Sequence, residues 1–444
     1  MLNRVYLGFT NRANRTIEIC DTFFMSFLKK IKASAMQFAI LVSVIIAVLL
    51  GSFLVLSHTH RFFKIQSKLY LKTIDASNSG IEYGLKSKNV FTDSVLVISD
   101  NNIETTIKRS FWGGFQVIES TSKSKTAKFS KQALVGSPIS HPNIALYISE
   151  DNSPLILVGD TKIKGTGYLS TRGVKPGIIS GHYYTGDKLI DGQIKRSLDR
   201  LPKLNSRWVT YINNLKDFIP TSGDIVINQT EQNSNSFFNN SHIIYQRGSI
   251  RLDEIYTGNI IIKSETSITI SKYASLTDVI VIAPKIIIET GFKGSASFIA
   301  SQTIEVKQNV ELTYPSALIV TQKQNKLNAK KELAISISDN ASVSGIVVYL
   351  IKESKVESLK NQTNINIDIQ SLSIINGQVY CQGSTELSGT VIGSIYTDRF
   401  IYNGFGSLYI NHIYSGTILA NDLHPKFSGL PFSNTNNGII RWLY

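Results

Sequence analysis

Acidic side chains in the repetitive middle of the chain form no pair suited to general acid–base catalysis. Asp253 and Glu254 are adjacent, so on a β-strand they would point to opposite faces. Glu289, Glu305 and Glu311 fall between rows of apolar residues and are expected on the outer surface. A glycan lyase or hydrolase needs acids with raised pKa values and aromatic platforms for sugar, but the 19 tyrosines are scattered. The sequence predicts no catalytic residue, although a Ser/His/Asp triad assembled by folding stays open.

Cysteine and histidine spacing gives no metal site. Cys20 and Cys381 lie far apart, and there is no CxxC and no Cys/His cluster. His58 and His60 adjoin an apolar run, and the other histidines form no HxH or HxxxH pair. Glycines crowd between residues 159 and 192 without a GxxxxGK[ST] motif or a GxGxxG that opens a helix. We therefore assign no metal-ligating or cofactor-binding residue and expect no cofactor.

The net charge of +14 is concentrated towards the N-terminus. Residues 1–90 hold 12 Lys/Arg against 4 Asp/Glu, residues 91–220 hold 17 against 11, and residues 221–444 hold 17 against 17. A protein that binds nucleic acid usually carries its basic residues on the binding surface, but the regular repeats are neutral. The sequence predicts no nucleic-acid partner and favours lipid phosphate as the nearby anion.

An uncharged run of nineteen residues, 38–56, is long enough to cross a membrane. As a helix it would span roughly 28 Å, about one hydrocarbon core. A cleaved signal peptide is the alternative, but its apolar region would be shorter and the following Ser-His-Thr-His-Arg is a poor cleavage site. We predict a retained anchor that contacts membrane lipid through residues 38–56.

Residues 1–37 form a basic head or a mis-annotated leader, with Met25 as an alternative start. Lysines 29, 30 and 32 precede the apolar run, and Arg61, Lys64, Lys68 and Lys72 follow it, so charge alone does not orient the anchor. A short head usually stays inside while a long C-terminal domain is translocated. We predict a single-pass protein of the bacterial inner membrane with its C-terminal domain outside the cytoplasm.

A helical pattern continues from His58 to Lys88, with no proline between residues 25 and 137. Together with Tyr70-Leu71 and the stretch Ser79-Gly80-Ile81-Glu82-Tyr83-Gly84-Leu85, this N-terminus resembles the minor pilins and pseudopilins of type IV pilus and type II secretion systems. The resemblance implies processing after Ala35. The sequence departs from the family in having Ala there instead of Gly, and Ile40 where most members carry Glu. An ordinary signal-anchor is the alternative.

Alternating residues predict a β-rich region over 89–154, including a strand, a glycine turn and a strand around Gly113-Gly114. Beyond it, apolar residues recur on every sixth position from Ile250, with a second row two residues later. Residues Ile250, Ile268, Ile286 and Ile304 are three sixes apart. This spacing predicts a mainly β fold, a three-sided β-solenoid of about 18 residues per coil over 155–426.

An amphipathic helix is predicted as an insertion over 195–219, bounded by Pro202 and Pro220, and residues 427–444 are expected to fold back as a cap. The regular coils resemble bactofilins, a resemblance that implies a three-sided right-handed β-helix that polymerises end to end. Hexapeptide acyltransferases share the period, but Glu254, Lys272 and Asp278 stand where those enzymes have small residues.

These observations predict a membrane-anchored, non-enzymatic structural or assembly protein of the bacterial cell envelope. The pilin-like N-terminus implies a minor component of a pilus-like or secretion apparatus, with protein partners or self-assembly. A glycan-active β-helix enzyme of the envelope and an adhesin-like binding module are the alternatives. Because enzymes on β-helices place acids beside aromatic walls, such a site on the side of the repeats would favour the enzyme.

Overall fold

The computed structural model describes residues 35–86, 96–100, 103–139, 143–220, 225–226, 233–323, 333–352, 364–433 and 435–444. Of the predicted head over residues 1–37, residues 1–34 lie outside this range, and residues 35–37 begin the first helix. Two compact units divide the chain, Met1–Leu71 and Lys72–Tyr444. In the first unit the described residues belong to one helix, α1, which covers Ala35–Lys86 and continues into the second unit.

The second unit is mainly β. Its described strands, in chain order, are β1 (Leu96–Asp100), β2 (Ile103–Trp112), β3 (Phe115–Lys123), β4 (Lys128–Pro138), β5 (Ile144–Ile148), β6 (Leu155–Val158), β7 (Lys162–Lys164), β8 (Thr166–Leu169), β9 (Val174–Pro176), β10 (Ile178–Ile179), β11 (His182–Tyr183), β12 (Ile194–Arg196), β13 (Ile225–Val226), β14 (Ser234–Asn235), β15 (His242–Gln246), β16 (Ile250–Leu252), β17 (Ile255–Gly258), β18 (Ile260–Ser264), β19 (Ser267–Ile270), β20 (Ser275–Ile288), β21 (Lys293–Val306), β22 (Glu311–Lys323), β23 (Ile335–Ile337), β24 (Ser342–Lys352), β25 (Ile365–Ile369), β26 (Ile374–Leu387), β27 (Thr390–Gly404), β28 (Ser407–Ile410), β29 (His412–Tyr414), β30 (Thr417–Leu419), β31 (Ser428–Gly429) and β32 (Gly438–Leu443). A second α-helix, α2, covers Ser206–Asp217, and a 3₁₀ turn covers Ala420–Asp422.

An antiparallel sheet is built from β1, β2, β3 and β4, with β31 and β32 both pairing with β4. The strand, glycine turn and strand predicted around Gly113-Gly114 are present as β2 and β3. The C-terminal residues join this sheet because Trp442 pairs with Ala133 in the register of β32 on β4. The two ends of the second unit therefore share one sheet.

Most other strands pair in parallel, and residues eighteen apart lie side by side. Ile250 pairs with Ile268, Ile268 with Ile286, and Ile286 with Ile304. Parallel neighbours in register place identical side chains on one face of adjacent strands. The aliphatic rows read from the sequence therefore mark residues that contact one another across the sheet.

The prediction of a three-sided β-solenoid over 155–426 is wrong. The hydrogen-bonded strands form a closed barrel beside the antiparallel sheet, and their order departs from chain order. After β27 the next parallel neighbour is β5, with Ile395 opposite Leu146, so the glycine-rich strands before residue 196 follow the last repeats. The spacing of apolar residues predicts which neighbouring strands pair, but it does not predict which distant strands pair to close the barrel.

One predicted inward pair faces the other way. Ile280 and Ile282 pack outside the barrel, while Val279 and Val281 join its interior. The side chains exchange faces because the register of β20 on β21 shifts at Asp278, which has a φ of +59°. A bulge inserts one unpaired residue and so exchanges the two faces of the strand that follows.

The outer side of several barrel strands is also apolar and is covered by α2 and the antiparallel sheet. Trp208 and Ile212 of α2 are fully buried there, and the Trp208 indole N–H donates to Gly114 O at 3.1 Å. The predicted helix over 195–219 is shorter in the structure. Asn205 begins it by accepting backbone N–H bonds from Arg207 and Trp208, and residues 194–196 form β12 instead.

Replacing a buried isoleucine of the barrel by aspartate tests the interior. Ile286 is fully buried, so Ile286→Asp should lower the free energy of unfolding by more than about 4 kcal/mol, because an unpaired charge is expensive inside an apolar core. Ile255→Asp is the matched control, since Ile255 is 62% exposed. Thermal unfolding followed by circular dichroism measures both, and equal melting temperatures would show that Ile286 does not lie in the core.

Candidate functional site

The N-terminal part of α1 exposes an unbroken apolar surface. Met36, Val48, Phe53 and Leu56 are each more than 60% exposed, and the apolar residues between them are exposed as well. Of the described helices, this one is long and apolar enough to cross a membrane. Such an area of apolar surface is unfavourable in water and has to be covered by lipid or by other helices.

The C-terminal part of α1, within the second unit, packs closely on the antiparallel sheet. Ile81 is buried against Ile107 and Ile118. The helix approaches closely because Gly80 and Gly84 face the sheet: a Cβ at Gly80 would lie 2.2 Å from Ser120 Oγ, and a Cβ at Gly84 would lie 2.9 Å from Ile118 Cγ2. Gly80 and Gly84 are therefore the positions at which the helix contacts the sheet most closely.

Polar bonds fix the same contact. Ser77 Oγ donates to Ser120 O at 3.0 Å, and Lys131 Nζ donates to Asn78 Oδ1 at 2.9 Å. The Lys131 ammonium also lies 3.9 Å from the centre of the Trp442 ring, a cation–π contact. These bonds join residues of α1, β3 and β4, so the helix end is held by both packing and hydrogen bonds.

Of the acidic residues considered in the sequence, Glu254 is exposed, and the other four lie outside the barrel in ion pairs with basic residues. Asp253 and Glu289 both bind Arg251, and Glu289 does so at 2.6 Å. Glu305 bridges two lysines, at 2.8 and 2.7 Å, and Glu311 lies 2.9 Å from Lys293. Exposed pairs of this kind contribute little to stability. Their arrangement gives no acid–base pair.

Other acids, not singled out in the sequence, have raised pKa values. Burial, with the nearby Asp368 carboxylate adding to it, raises the pKa of Glu386 to about 7, although the N–H bond from Asn403 acts in the opposite direction. Burial also raises the pKa of Asp368, which lies beside Glu386 in the parallel register of β25 and β26. Their separation of eighteen residues equals the repeat of the barrel strands, so the apolar spacing could have placed them side by side.

An aromatic surface lies beside Glu386. Burial raises the pKa of Tyr402 in this surface, and the nearby Tyr414 and the charge of Glu386 raise it further. We define the aromatic surface as His182, Tyr402, Phe405, Tyr409, His412 and Tyr414. The Tyr402 and Tyr414 rings stack with centres 4.8 Å apart, and Phe405 stacks on His182 at 5.5 Å. The hairpin of β27 and β28 supplies Tyr402, Phe405 and Tyr409, while the remaining residues come from β11 and β29.

Cysteine and metal chemistry find no place among the described residues. Cys381 is fully buried in the barrel interior, and burial raises the pKa of its thiol well above the ordinary value. Cys20 lies outside the described residues. In the part of the chain that the structure describes, no group of three or more His, Cys, Asp or Glu side chains is placed to hold a metal ion.

No protein-family model matches the chain, and a comparison with curated proteins also finds no match. Among solved structures the chain is similar to the competence-associated pilin ComZ from Thermus thermophilus, with 8% sequence identity and a TM-score of 0.21. The alignment covers 84% of this chain and 97% of that chain. A likeness at this TM-score carries no argument. The bactofilin resemblance thus has no support beyond apolar spacing, and the pilin-like resemblance rests on the N-terminal helix.

Adding a methyl group at Gly80 tests the close contact of α1 with the sheet. Gly80→Ala should destabilise the second unit by about 1–2 kcal/mol, because overpacking against Ser120 outweighs the better helix propensity of alanine. Gly51→Ala is the matched control, since no neighbour lies within 4 Å of a Cβ there. Chemical denaturation of the detergent-solubilised chain measures both. A Gly80→Ala variant as stable as the Gly51→Ala variant would contradict the tight contact.

Replacing Glu386 by glutamine tests the environment of its carboxyl group. The folded-state pKa of about 7 exceeds the ordinary 4.5, so the native state binds more protons between these values. Its contribution to stability is present below pH 4.5 and is lost as the pH rises through 7. Glu386→Gln should therefore gain stability relative to the unmodified chain between pH 5 and pH 8, on the order of 1 kcal/mol after allowing for solvent screening.

Denaturant titrations at several pH values measure this difference. Glu254→Gln, at an exposed position, is the control for removing one carboxyl group from the chain. A stability difference for Glu386→Gln that does not change with pH would contradict the raised pKa of Glu386.

Proposed function

We propose that this chain is a non-enzymatic structural subunit of the bacterial cell envelope, anchored in the inner membrane by residues 38–56. Its second unit would lie outside the cytoplasm. Within this role we assign it to a pilus-like or secretion apparatus, as a minor component. A glycan-active enzyme is the second candidate, because Glu386 has a raised pKa and lies beside the aromatic surface. The observation that supports the proposal best is α1, a helix of 52 residues that is exposed and apolar in one part and packed on a sheet in another.

The apolar part of α1 fits a hydrocarbon core. Residues 38–56 carry no charge and cover about 28 Å as a helix, close to the thickness of about 30 Å that a bilayer presents. The exposed side chains point in all directions around the helix, which suits lipid or a bundle of similar helices. This arrangement supports both anchoring and helix-mediated assembly.

The region after residue 56 supports a structural role. The helix contains no break between the apolar run and Lys86, and no proline lies within it. Its last turns are fixed to the sheet by Ile81, Gly80 and Gly84. The helix is therefore continuous from the apolar run to the residues that contact the sheet, which supports a structural role.

Placing the second unit outside the cytoplasm follows from the size of the domain. Long C-terminal domains are translocated largely without regard to nearby charge, so the basic residues after the apolar run do not oppose export. The barrel contains Cys381 in its interior and needs no disulfide bond to close. This orientation is part of the proposal and is tested below.

A lysine in the middle of the apolar run should abolish anchoring. Insertion of lysine at the centre of a membrane helix is unfavourable by about 3 kcal/mol, so Val48→Lys should shift the chain from the carbonate-resistant membrane fraction to the soluble fraction. Gln66→Lys, at an exposed position of α1 beyond the run, is the matched control and should stay in the membrane. Release of the unmodified chain by carbonate would contradict a membrane anchor.

Protease treatment of spheroplasts tests the orientation in the same preparations. The second unit should be digested or detached when protease is added outside intact spheroplasts, and an antibody against the C-terminal strands would follow its loss. Protection until the membrane is opened would place the second unit in the cytoplasm. Recovery of the chain with material sheared from the cell surface would support assembly into a pilus-like structure, whereas its complete retention in the membrane would contradict a pilus and favour a secretion apparatus.

A further inference from the structure

We propose that the aromatic surface binds the pyranose rings of a neutral polysaccharide. This inference is independent of the membrane anchor and of assembly. It begins from the tip of the β27–β28 hairpin, where Phe405 and Gly406 connect the strands with φ values of +51° and +76°. Two-residue hairpin turns with positive φ at both positions favour Asn-Gly or Asp-Gly, and a bulky residue there is strained.

The strain at Phe405 is not explained by burial, because its side chain is 52% exposed. Strained backbone that holds an exposed side chain is often found at functional sites. The ring of Phe405 stacks on His182 at 5.5 Å and meets Tyr414 edge-on at 5.9 Å. The turn therefore holds an aromatic ring at a defined position on the surface, where an Asn-Gly turn would hold none.

The aromatic surface combines apolar ring faces with hydrogen-bonding groups at their edges. Tyr402, Tyr409 and Tyr414 supply phenol groups, and His412 Nδ1 donates to Ile410 O at 2.7 Å, which leaves Nε2 as a further polar atom at a ring edge. Phe405 and His182 are exposed, and the other four rings are half-buried beside them. A contiguous aromatic patch that reaches the surface in this way is typical of a binding site. Its ligand has to be flat and apolar on one side and polar around its rim.

A pyranose ring has this chemistry, since its axial C–H groups form an apolar face and its hydroxyl groups surround it. The carboxyl group of Glu386 lies at the base of the hairpin, where its Oε1 accepts from Asn403 N–H at 2.9 Å. With a pKa of about 7, this carboxyl group accepts hydrogen bonds from sugar hydroxyls in either protonation state, and in its ionised form it repels uronic acids and phosphates. These groups favour a neutral sugar over an acidic one.

The experiment is a binding assay with the full chain in a detergent that contains no sugar. Insoluble chitin and cellulose serve as neutral polysaccharide probes, and poly-L-proline on beads serves as a peptide probe that also stacks on aromatic rings. Phe405→Asn removes the ring and suits the positive φ of the turn, so the variant should fold. Its melting temperature is measured alongside.

Phe238→Asn is the matched control, because Phe238 is 51% exposed and lies outside the aromatic surface. The unmodified chain and the Phe238→Asn variant should be retained on at least one neutral polysaccharide, and Phe405→Asn should lower the apparent affinity at least tenfold. His182→Ala, which removes the other ring of the stacked pair, should weaken retention in the same direction. This result would assign the surface to sugar binding.

Three results would overturn the proposal. The first is retention of the unmodified chain on neither polysaccharide, and the second is equal retention of the Phe405→Asn and Phe238→Asn variants. The third is retention on poly-L-proline alone, which would assign the surface to a protein partner. Membrane fractionation of the same variants separates this test from that of the anchor, since all of them should remain in the membrane.

Discussion

Parallel pairing of residues eighteen apart is the constraint on which the second unit depends. It places Ile250, Ile268, Ile286 and Ile304 against one another, so each strand extends an aliphatic row begun by its neighbour. Burying one such side chain contributes about 1.5–3 kcal/mol before the entropy of ordering the chain is subtracted. Hydrogen bonds between the strands and apolar contact within the barrel therefore reinforce each other at each step.

The antiparallel sheet packs against the end of α1 on one face and against the barrel on the other, because both of its faces are apolar. Ile107, Ile118 and Ala133 face the end of α1, while Phe115 and Leu134 face the barrel. Alternation along the strands sends successive side chains to opposite faces. A displacement of this sheet would disturb the helix contact and the barrel contact together, because the packing is dense around Gly80 on one face and Gly114 on the other.

The sequence predicted what depends on neighbours in the chain and missed what depends on distant ones. The spacing of apolar residues identified the buried rows, and the uncharged run identified the long helix, because both patterns depend on residues close together in the sequence. Ile280 and Ile282 were assigned to the wrong face, since the bulge at Asp278 is held by Arg441 Nη1 at 2.7 Å and by a hydrogen bond from Trp112, both far away in the sequence. The aromatic surface was missed for the same reason: His182 and Phe405 meet only after folding. The start of α2 could have been found from Asn205, a favourable N-cap.

The pairing of β5 with β27 has a consequence for biogenesis. Ser149 Oγ donates to Asp398 across 249 residues of sequence, and β4 is completed only by β32 near the C-terminus. Contacts between residues so far apart in the sequence form late. Neither the barrel nor the sheet that contacts α1 can therefore be completed before the C-terminal strands are synthesised. A chain that is exported while unfolded would therefore cross the membrane before its own fold could obstruct the translocation channel, and its exposed strand edges would need chaperones until the last strand arrives.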